Sequence, residues 1–357
     1  MKTSTLLSIA AAFLWTLSGC SKEQGTTAAD EKFQVVLSFK NASTRADGAT
    51  ALSGTVVDIV NGYICFVSSG SAITDVYTIS STATSGKNIR NTDLGSTAVT
   101  LSDVPGSSAK VYLIANKGSL SNVPVEGSSI ASFLANNMVV EDQGDYTKVT
   151  SIGEATLMTT SNPDVKSAAV VLYTKVARIQ VKEISFDGDI TGTVAGIFVN
   201  GYYPSMQLNG TAAAMKVSNV ASDYVDNSPI FPSLLSGYVY DMVNKSIAAS
   251  VVPTTANGVW GYNLFASATP QIVVKLTNVV SNGQSVGDQF VTINGFKNGS
   301  TNSAITNIEG GMIYTIQAGA LVIKPEHLSI DPGVTPIKVD VTVTPVTWQE
   351  TTVIPNL

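Results

Sequence analysis

Phe33-Gln34-Val35-Val36-Leu37-Ser38-Phe39-Lys40 sets large apolar residues at every second position, so in an extended chain Phe33, Val35, Leu37 and Phe39 share one face. A helix would scatter those four side chains around its circumference, because its period is 3.6 residues and not two. The segment therefore reads as a strand whose apolar face needs a sheet to pack on. The same chemistry runs through the rest of the chain. The runs 110–116 and 271–276 and the run Met312-Ile313-Tyr314-Thr315-Ile316 are short and rich in β-branched or aromatic residues. Asn-Gly recurs at Asn61, Asn200, Asn209, Asn257, Asn282, Asn294 and Asn298, and this dipeptide suits tight hairpins because both residues tolerate positive φ. An all-β protein of sandwich type is expected, with brief helices only near 129–137 and 229–235.

Upstream of the strand, Lys2 supplies a positive start, residues 6–17 an apolar run, and Leu17-Ser18-Gly19-Cys20 a small-residue cleavage site ending in cysteine. That run is too short to span a bilayer and reads as a secretory signal over residues 1–19. A cysteine directly after such a site becomes the first residue of the exported chain, so Cys20 is the expected lipidation site, carrying palmitate or a related acyl chain. Residues 21–30 are polar and fit a solvated tether.

Downstream lies Asn41-Ala42-Ser43-Thr44-Arg45-Ala46-Asp47-Gly48, a run of small and polar residues of the kind that proteases cut. Arginine is scarce: Arg45, Arg90 and Arg178 stand against seventeen lysines. Arg45 is either a solvated loop residue or the target of an arginine-specific protease. Its place between a strand and a linker favours cleavage of the Arg45-Ala46 bond, which would make 20–45 a removable pro-segment.

Without residues 1–45 the chain keeps 15 of its 20 basic and 23 of its 26 acidic residues, a net charge of −8. That balance gives no electrostatic footprint for nucleic acid and none for an anionic lipid surface, so contact with a membrane is expected only through the lipid on Cys20. The remaining length, roughly 310 residues, exceeds one typical core and implies two domains. The turn cluster Ser161-Asn162-Pro163-Asp164 precedes the long apolar stretch 168–186, which puts the division near residue 170, giving domains at 46–170 and 171–357. With Cys20 acylated, Cys65 has no disulfide partner and is expected to be a small core residue.

Residues for catalysis are not found at any recognisable spacing. His327 lacks a nucleophile or ligand partner, and Asp187-Gly188-Asp189 reads as a hairpin turn because no glutamate follows where a calcium loop would need one. Neither a metal nor a cofactor is expected, and the chain does not read as an enzyme. Tyr202, Tyr203, Trp260, Tyr262 and Phe265 either close the end of a sandwich or form a carbohydrate platform; their neighbouring turn formers favour the core.

At the far end, Ile337, Val339, Val341 and Val343 alternate with Lys338, Asp340, Thr342 and Thr344, and past Pro345 the apolar face continues through Val346 and Trp348. The chain thus has a removable strand in front and a long strand behind. Cutting at Arg45 would expose a sheet edge and an apolar groove, a template for assembly. A strand from another copy would refill it, burying about four large side chains at roughly 1.5–3 kcal/mol each before ordering costs. Each copy gives to one neighbour and takes from another, so the product is a head-to-tail filament.

These features, in this order, resemble the fimbrillins of type V pili, the FimA-like major subunits. The matching residues are Leu17-Ser18-Gly19-Cys20, the strand 33–40, Thr44-Arg45-Ala46, the strand 111–116, Val176-Ala177-Arg178-Ile179-Gln180-Val181 and the tail near Trp348. The resemblance implies two transthyretin-like, Ig-like Greek-key β-sandwich domains and a precursor lipoprotein at the outer membrane. It further implies processing by an arginine-specific protease and a mature subunit in surface fimbriae serving adhesion or biofilm formation. Residues 337–357 would be the donor strand, with Ile337, Val339, Val341, Val343, Val346 and Trp348 as its apolar face. Partners would be further copies or related fimbrial subunits, together with receptors on host or bacterial surfaces. A tip or anchor subunit, and a lipid-anchored glycan-binding protein that is never cut, are the competing readings.

Overall fold

A computed structural model describes residues 32–40, 58–82, 86–94, 98–145, 148–254, 258–334 and 336–345; the side chains of Phe39, Lys40 and Pro345 lie outside that set. The signal segment, Cys20, Arg45, Ala46, Val346 and Trp348 also fall outside the described residues.

The first part of the chain forms β1 (Lys32–Lys40), β2 (Gly62–Ser68), β3 (Ile73–Ser80), β4 (Asn88–Arg90), β5 (Val99–Pro105) and β6 (Ser108–Ala115). It continues with β7 (Asn137–Val139), β8 (Ser151–Thr156), β9 (Met158–Thr159), β10 (Val165–Val171) and β11 (Tyr173–Thr174). Two sheets result, one in the order β5-β1-β10-β9 and one in the order β11-β8-β6-β2-β3-β4. Between them lies a core to which Phe33, Val35, Leu37 and Val170 contribute from one side and Ile64, Phe66, Ile79 and Leu113 from the other.

The run Tyr63-Ile64-Cys65-Phe66-Val67 does not alternate, and its burial explains why. Ile64 and Phe66 face this core, while Tyr63, Cys65 and Val67 face a second core on the opposite side of the sheet. A strand covered on both faces has no polar positions to fill. That second face is covered in part by the one α-helix among the described residues, α1 (Ile130–Leu134), which buries Ile130 and Phe133 and is capped by the Ser129 hydroxyl accepting from Ala131 N. Cys65 is fully buried, and burial pushes its thiol up to about 12.

The second part forms β12 (Val176–Val181), β13 (Ile184–Phe186), β14 (Ile190–Asn200), β15 (Ser205–Gln207), β16 (Tyr240–Ser246), β17 (Ser250–Val251), β18 (Trp260–Phe265) and β19 (Ser267–Ala268). Then come β20 (Gln271–Ser281), β21 (Gln284–Asn298), β22 (Ala304–Ile305), β23 (Asn307–Ile308), β24 (Met312–Ile316), β25 (Val322–Ile323) and β26 (Ile337–Pro345). Its main strands run in the order β16-β14-β20-β21-β26-β24-β12-β18, a sheet that curls around a core of Ile179, Ile197, Val274, Val291 and Ile313. Sheet membership changes at Lys175, since Tyr173 and Thr174 pair with Ile152 and Ser151 while Val176 pairs with Phe265.

The two parts are joined by more than the chain. β7 and β15 pair across the junction, and Asn263 Nδ2 donates to the carbonyls of Gln143 at 2.6 Å and Gly144 at 2.9 Å. Asn263 Oδ1 in turn accepts from Arg178 Nη1 at 3.0 Å, which places a fully buried arginine on the outer face of β12. Of the Asn-Gly pairs, Asn282-Gly283 makes the two-residue hairpin, with φ of 50° and 74° between Ser281 and Gln284. Asn294-Gly295 instead lies inside β21, where the register with β26 shifts. Tolerance of positive φ and of close approach serves bulges and strand ends as well as hairpins.

Candidate functional site

β1 lies inside its sheet and not at an edge. It runs antiparallel to β5, with Phe33 opposite Val104, Val35 opposite Leu101 and Leu37 opposite Val99. On its other side it runs parallel to β10, with Val35 opposite Lys166 and Leu37 opposite Ala168. Gln34 N donates to Asp164 O at 2.9 Å and holds the start of the strand against the turn before β10. Alternation does the rest: Phe33, Val35 and Leu37 are 7%, 0% and 0% exposed, whereas Lys32 and Gln34 face solvent. Lys166 Nζ stands 3.9 Å above the Phe33 ring, a cation–π contact at the mouth of the core.

The energetic weight of β1 follows from these contacts. Three buried side chains at about 1.5–3 kcal/mol each join ladder hydrogen bonds to both neighbours at about 0.5–1.5 kcal/mol each. Taking β1 away would leave a slot between β5 and β10 with two unpaired edges and with Leu101, Val104, Ala168 and Val170 open to water. A segment of alternating apolar residues is the shape that fills such a slot.

β26 is the other strand of interest, and the structure places it in its own half of the chain. Residues 337–341 run parallel to β21, and residues 342–345 run antiparallel to β24. Val339 and Val341 are 4% and 1% exposed and belong to the second core, while Ile337 and Val343 are half-buried against it. β1 and β26 thus carry the same spacing of apolar residues in different halves of the molecule.

The remaining residues singled out in the sequence have structural roles. Tyr202, Trp260, Tyr262 and Phe265 are buried in the second core, and Tyr203 is half-buried against it, so these rings do not form an open platform. His327 Nδ1 accepts from Lys324 N at 3.1 Å within a short turn. Gly188, at φ 90°, makes the turn between β13 and β14. Among the described residues no three potential metal ligands stand together. Of the two described arginines, Arg178 is 1% exposed, whereas Arg90 is exposed on the edge strand β4.

One cluster has no motif in the sequence to announce it. Asp75 sits on the buried face of β3, in parity with Ile73, Tyr77 and Ile79, and is 1% exposed. Lys87 Nζ is in direct contact with Asp75 Oδ1 and lies 2.6 Å from Glu126 Oε1. The available signal was a single carboxylate at a core-facing position of an otherwise apolar alternation.

No family model matches the chain, and no curated protein matches it. Solved structures do. A candidate cell adhesion protein from Bacteroides eggerthii superposes with a TM-score of 0.52 at 17% identity, covering 89% of this chain and 96% of that one. The fimbrilin FimA of Porphyromonas gingivalis superposes with a TM-score of 0.51 at 11% identity, over 88% and 98% of the two chains. A second candidate cell adhesion protein, from Parabacteroides distasonis, gives 0.50 at 11% identity over 89% and 100%. The chain has the fold of these proteins along nearly its whole described length.

Proposed function

We propose that this chain is a stalk-forming subunit of surface fimbriae, exported as a lipoprotein precursor and polymerised when β1 is cut away and replaced by a strand from a neighbouring copy. The observation that carries the reading is the position of β1. A segment that ends a few residues before Thr44-Arg45-Ala46 supplies Phe33, Val35 and Leu37 to the core from the middle of its sheet. Its loss would open a groove without disturbing the second core, which contains no residue of β1. The fold shared with FimA is consistent with this. In the proposed cycle Cys20 holds the precursor at the outer membrane, an arginine-specific protease cuts before Ala46, and residues from 337–357 of the next copy enter between β5 and β10.

The exchange has a physical requirement. Because Val339 and Val341 are core residues at home, a donor that includes them must leave β21 and β24 before it enters the neighbour, and the gain at the acceptor must offset that loss.

The test is to express residues 21–357, add a trace of arginine-specific protease, and follow the new N-terminus together with particle size. Cleavage before Ala46 followed by ladders or filaments is the expected result. Cleavage there with a lasting monomer would overturn the stalk assignment.

A further inference from the structure

Asp75, Lys87 and Glu126 form a cluster with the parts of a self-condensing amide site. Asp75 projects from the core face of β3 and is 1% exposed, with the Phe66 and Tyr77 rings stacked edge to face at 5.9 Å beside its strand positions. Its carboxyl is held in place by Val76 N, which donates to Oδ1 at 2.8 Å. Lys87 is fixed next to β3 because its carbonyl accepts from Thr78 N at 2.8 Å at the start of the parallel β3–β4 pair. Its ammonium nitrogen touches the Asp75 carboxyl. Glu126 is brought over both by the backbone on its C-terminal side, where Gly127 N donates to Ile73 O and Ile73 N donates to Ser128 O, each at 2.8 Å. Glu126 Oε1 accepts from Lys87 Nζ at 2.6 Å.

An amine, a buried carboxyl and a second carboxylate beside both are what amide formation needs: a nucleophile, an electrophile and a proton carrier, each immobilised by backbone pairing. We propose that Lys87 and Asp75 condense to an intramolecular isopeptide bond, with Glu126 carrying the protons. In the starting ion pair one proton moves from the Lys87 ammonium through Glu126 to the Asp75 carboxylate, leaving a neutral amine and a neutral acid. The amine lone pair adds to Asp75 Cγ and forms the C–N bond. One Cγ–O bond then breaks, and the hydroxyl departs as water with the proton that Glu126 has taken from the nitrogen. Glu126 ends as it began, nothing is oxidised or reduced, and one water leaves the protein.

Burial favours the neutral acid, raising the Asp75 carboxyl above the usual carboxylate range although Lys87 pulls it down. Lys87 resists losing its proton: partial burial weakens its ammonium, but hydrogen bonds to Asp75 and Glu126 hold it above the usual lysine range. Glu126, whose carboxyl the Lys87 hydrogen bond holds below the usual carboxylate range, is the group in contact with Lys87 that can carry the proton onward. The product replaces an ion pair, half of which is buried, with an uncharged amide, and it ties the residue before the edge strand β4 to β3.

The experiment is an intact-mass measurement on the denatured, purified protein comprising residues 21–357, followed by peptide mapping with a lysine-specific protease. The expected mass is lower than the sequence mass by one water, with a branched peptide joining the segments that contain Asp75 and Lys87 and no cleavage after Lys87. Lys87→Arg keeps the positive charge but cannot form the amide, and Glu126→Gln removes the base at an exposed position; both should show the full sequence mass. A wild-type chain at the full sequence mass, with separate peptides, would overturn the proposal and leave an ordinary ion pair. Retention of the bond in Glu126→Gln would overturn the role given to Glu126.

Discussion

Val35 of β1 sits directly across from Leu101 of β5, and the two side chains, at 0% and 6% exposure, meet in the first core. The front of the chain is thus bound into the sandwich by the same kind of contact that holds any interior strand.

Val35→Asp places an uncompensated carboxylate in that contact. Burial of an unpaired charge belongs to the most damaging class of substitution, and a loss of about 3–5 kcal/mol is expected. Urea unfolding of the precursor would report it. A change within about 0.5 kcal/mol would show that β1 contributes little to the fold.

Val341→Asp should have a comparable effect of about 3–5 kcal/mol on the unassembled monomer, because Val341 is 1% exposed in its own half of the molecule. Failure of that variant to assemble would therefore report on folding as much as on donation. A chain ending at Pro345 keeps β26 paired with β21 and β24 and isolates residues 346–357. Its urea unfolding measures what the truncation does to folding, and it should form no filaments; filaments at normal yield would exclude the tail from the donor.

Limited digestion with an arginine-specific protease should spare Arg178, which lies on β12 between β24 and β18 and whose side chain is 1% exposed and hydrogen-bonded to Asn263. Cuts are expected at Arg45 and, more slowly, at Arg90 on its short edge strand, since a protease needs an extended, detachable backbone. An Arg90→Lys variant should lose the slower cut alone. N-terminal sequencing that found early cleavage after Arg178 would contradict the burial of β12.

Cys65 should stay unmodified by a thiol-alkylating reagent near pH 8 while the protein is folded, because burial pushes its thiol up to about 12 and the reactive thiolate is scarce. Unfolding returns the group to the ordinary thiol range, so labelling in urea should be complete. The sign is that of a raised acid: pH must climb well above 8 before the folded protein reacts. Rapid labelling under native conditions would place Cys65 at the surface.

The strands were legible in the sequence where one face is buried and the other wet, as in β1 and β26, because alternation is then imposed residue by residue. β12 and β2 were harder. Their interior is covered on both sides, and the polar residues of β12, Arg178 and Gln180, face a junction whose far wall is supplied by Gln143 and Gly144. The Asn-Gly pairs located places of unusual backbone without distinguishing a hairpin from a bulge, since the dipeptide's conformational freedom serves both.

By itself the sequence determined an all-β chain with an apolar-faced strand near each end and an arginine just behind the first strand, and it supplied the expectation of a leader over residues 1–19 ahead of Cys20, because period, composition and spacing are local properties. Only the tertiary structure decided that β1 lies between β5 and β10, that β26 is held by β21 and β24, and that Asp75, Lys87 and Glu126 meet at one point. Those relationships join residues far apart along the chain. They are selected by which faces must be buried together and which sheet edges must be paired, and a local pattern does not encode its partner.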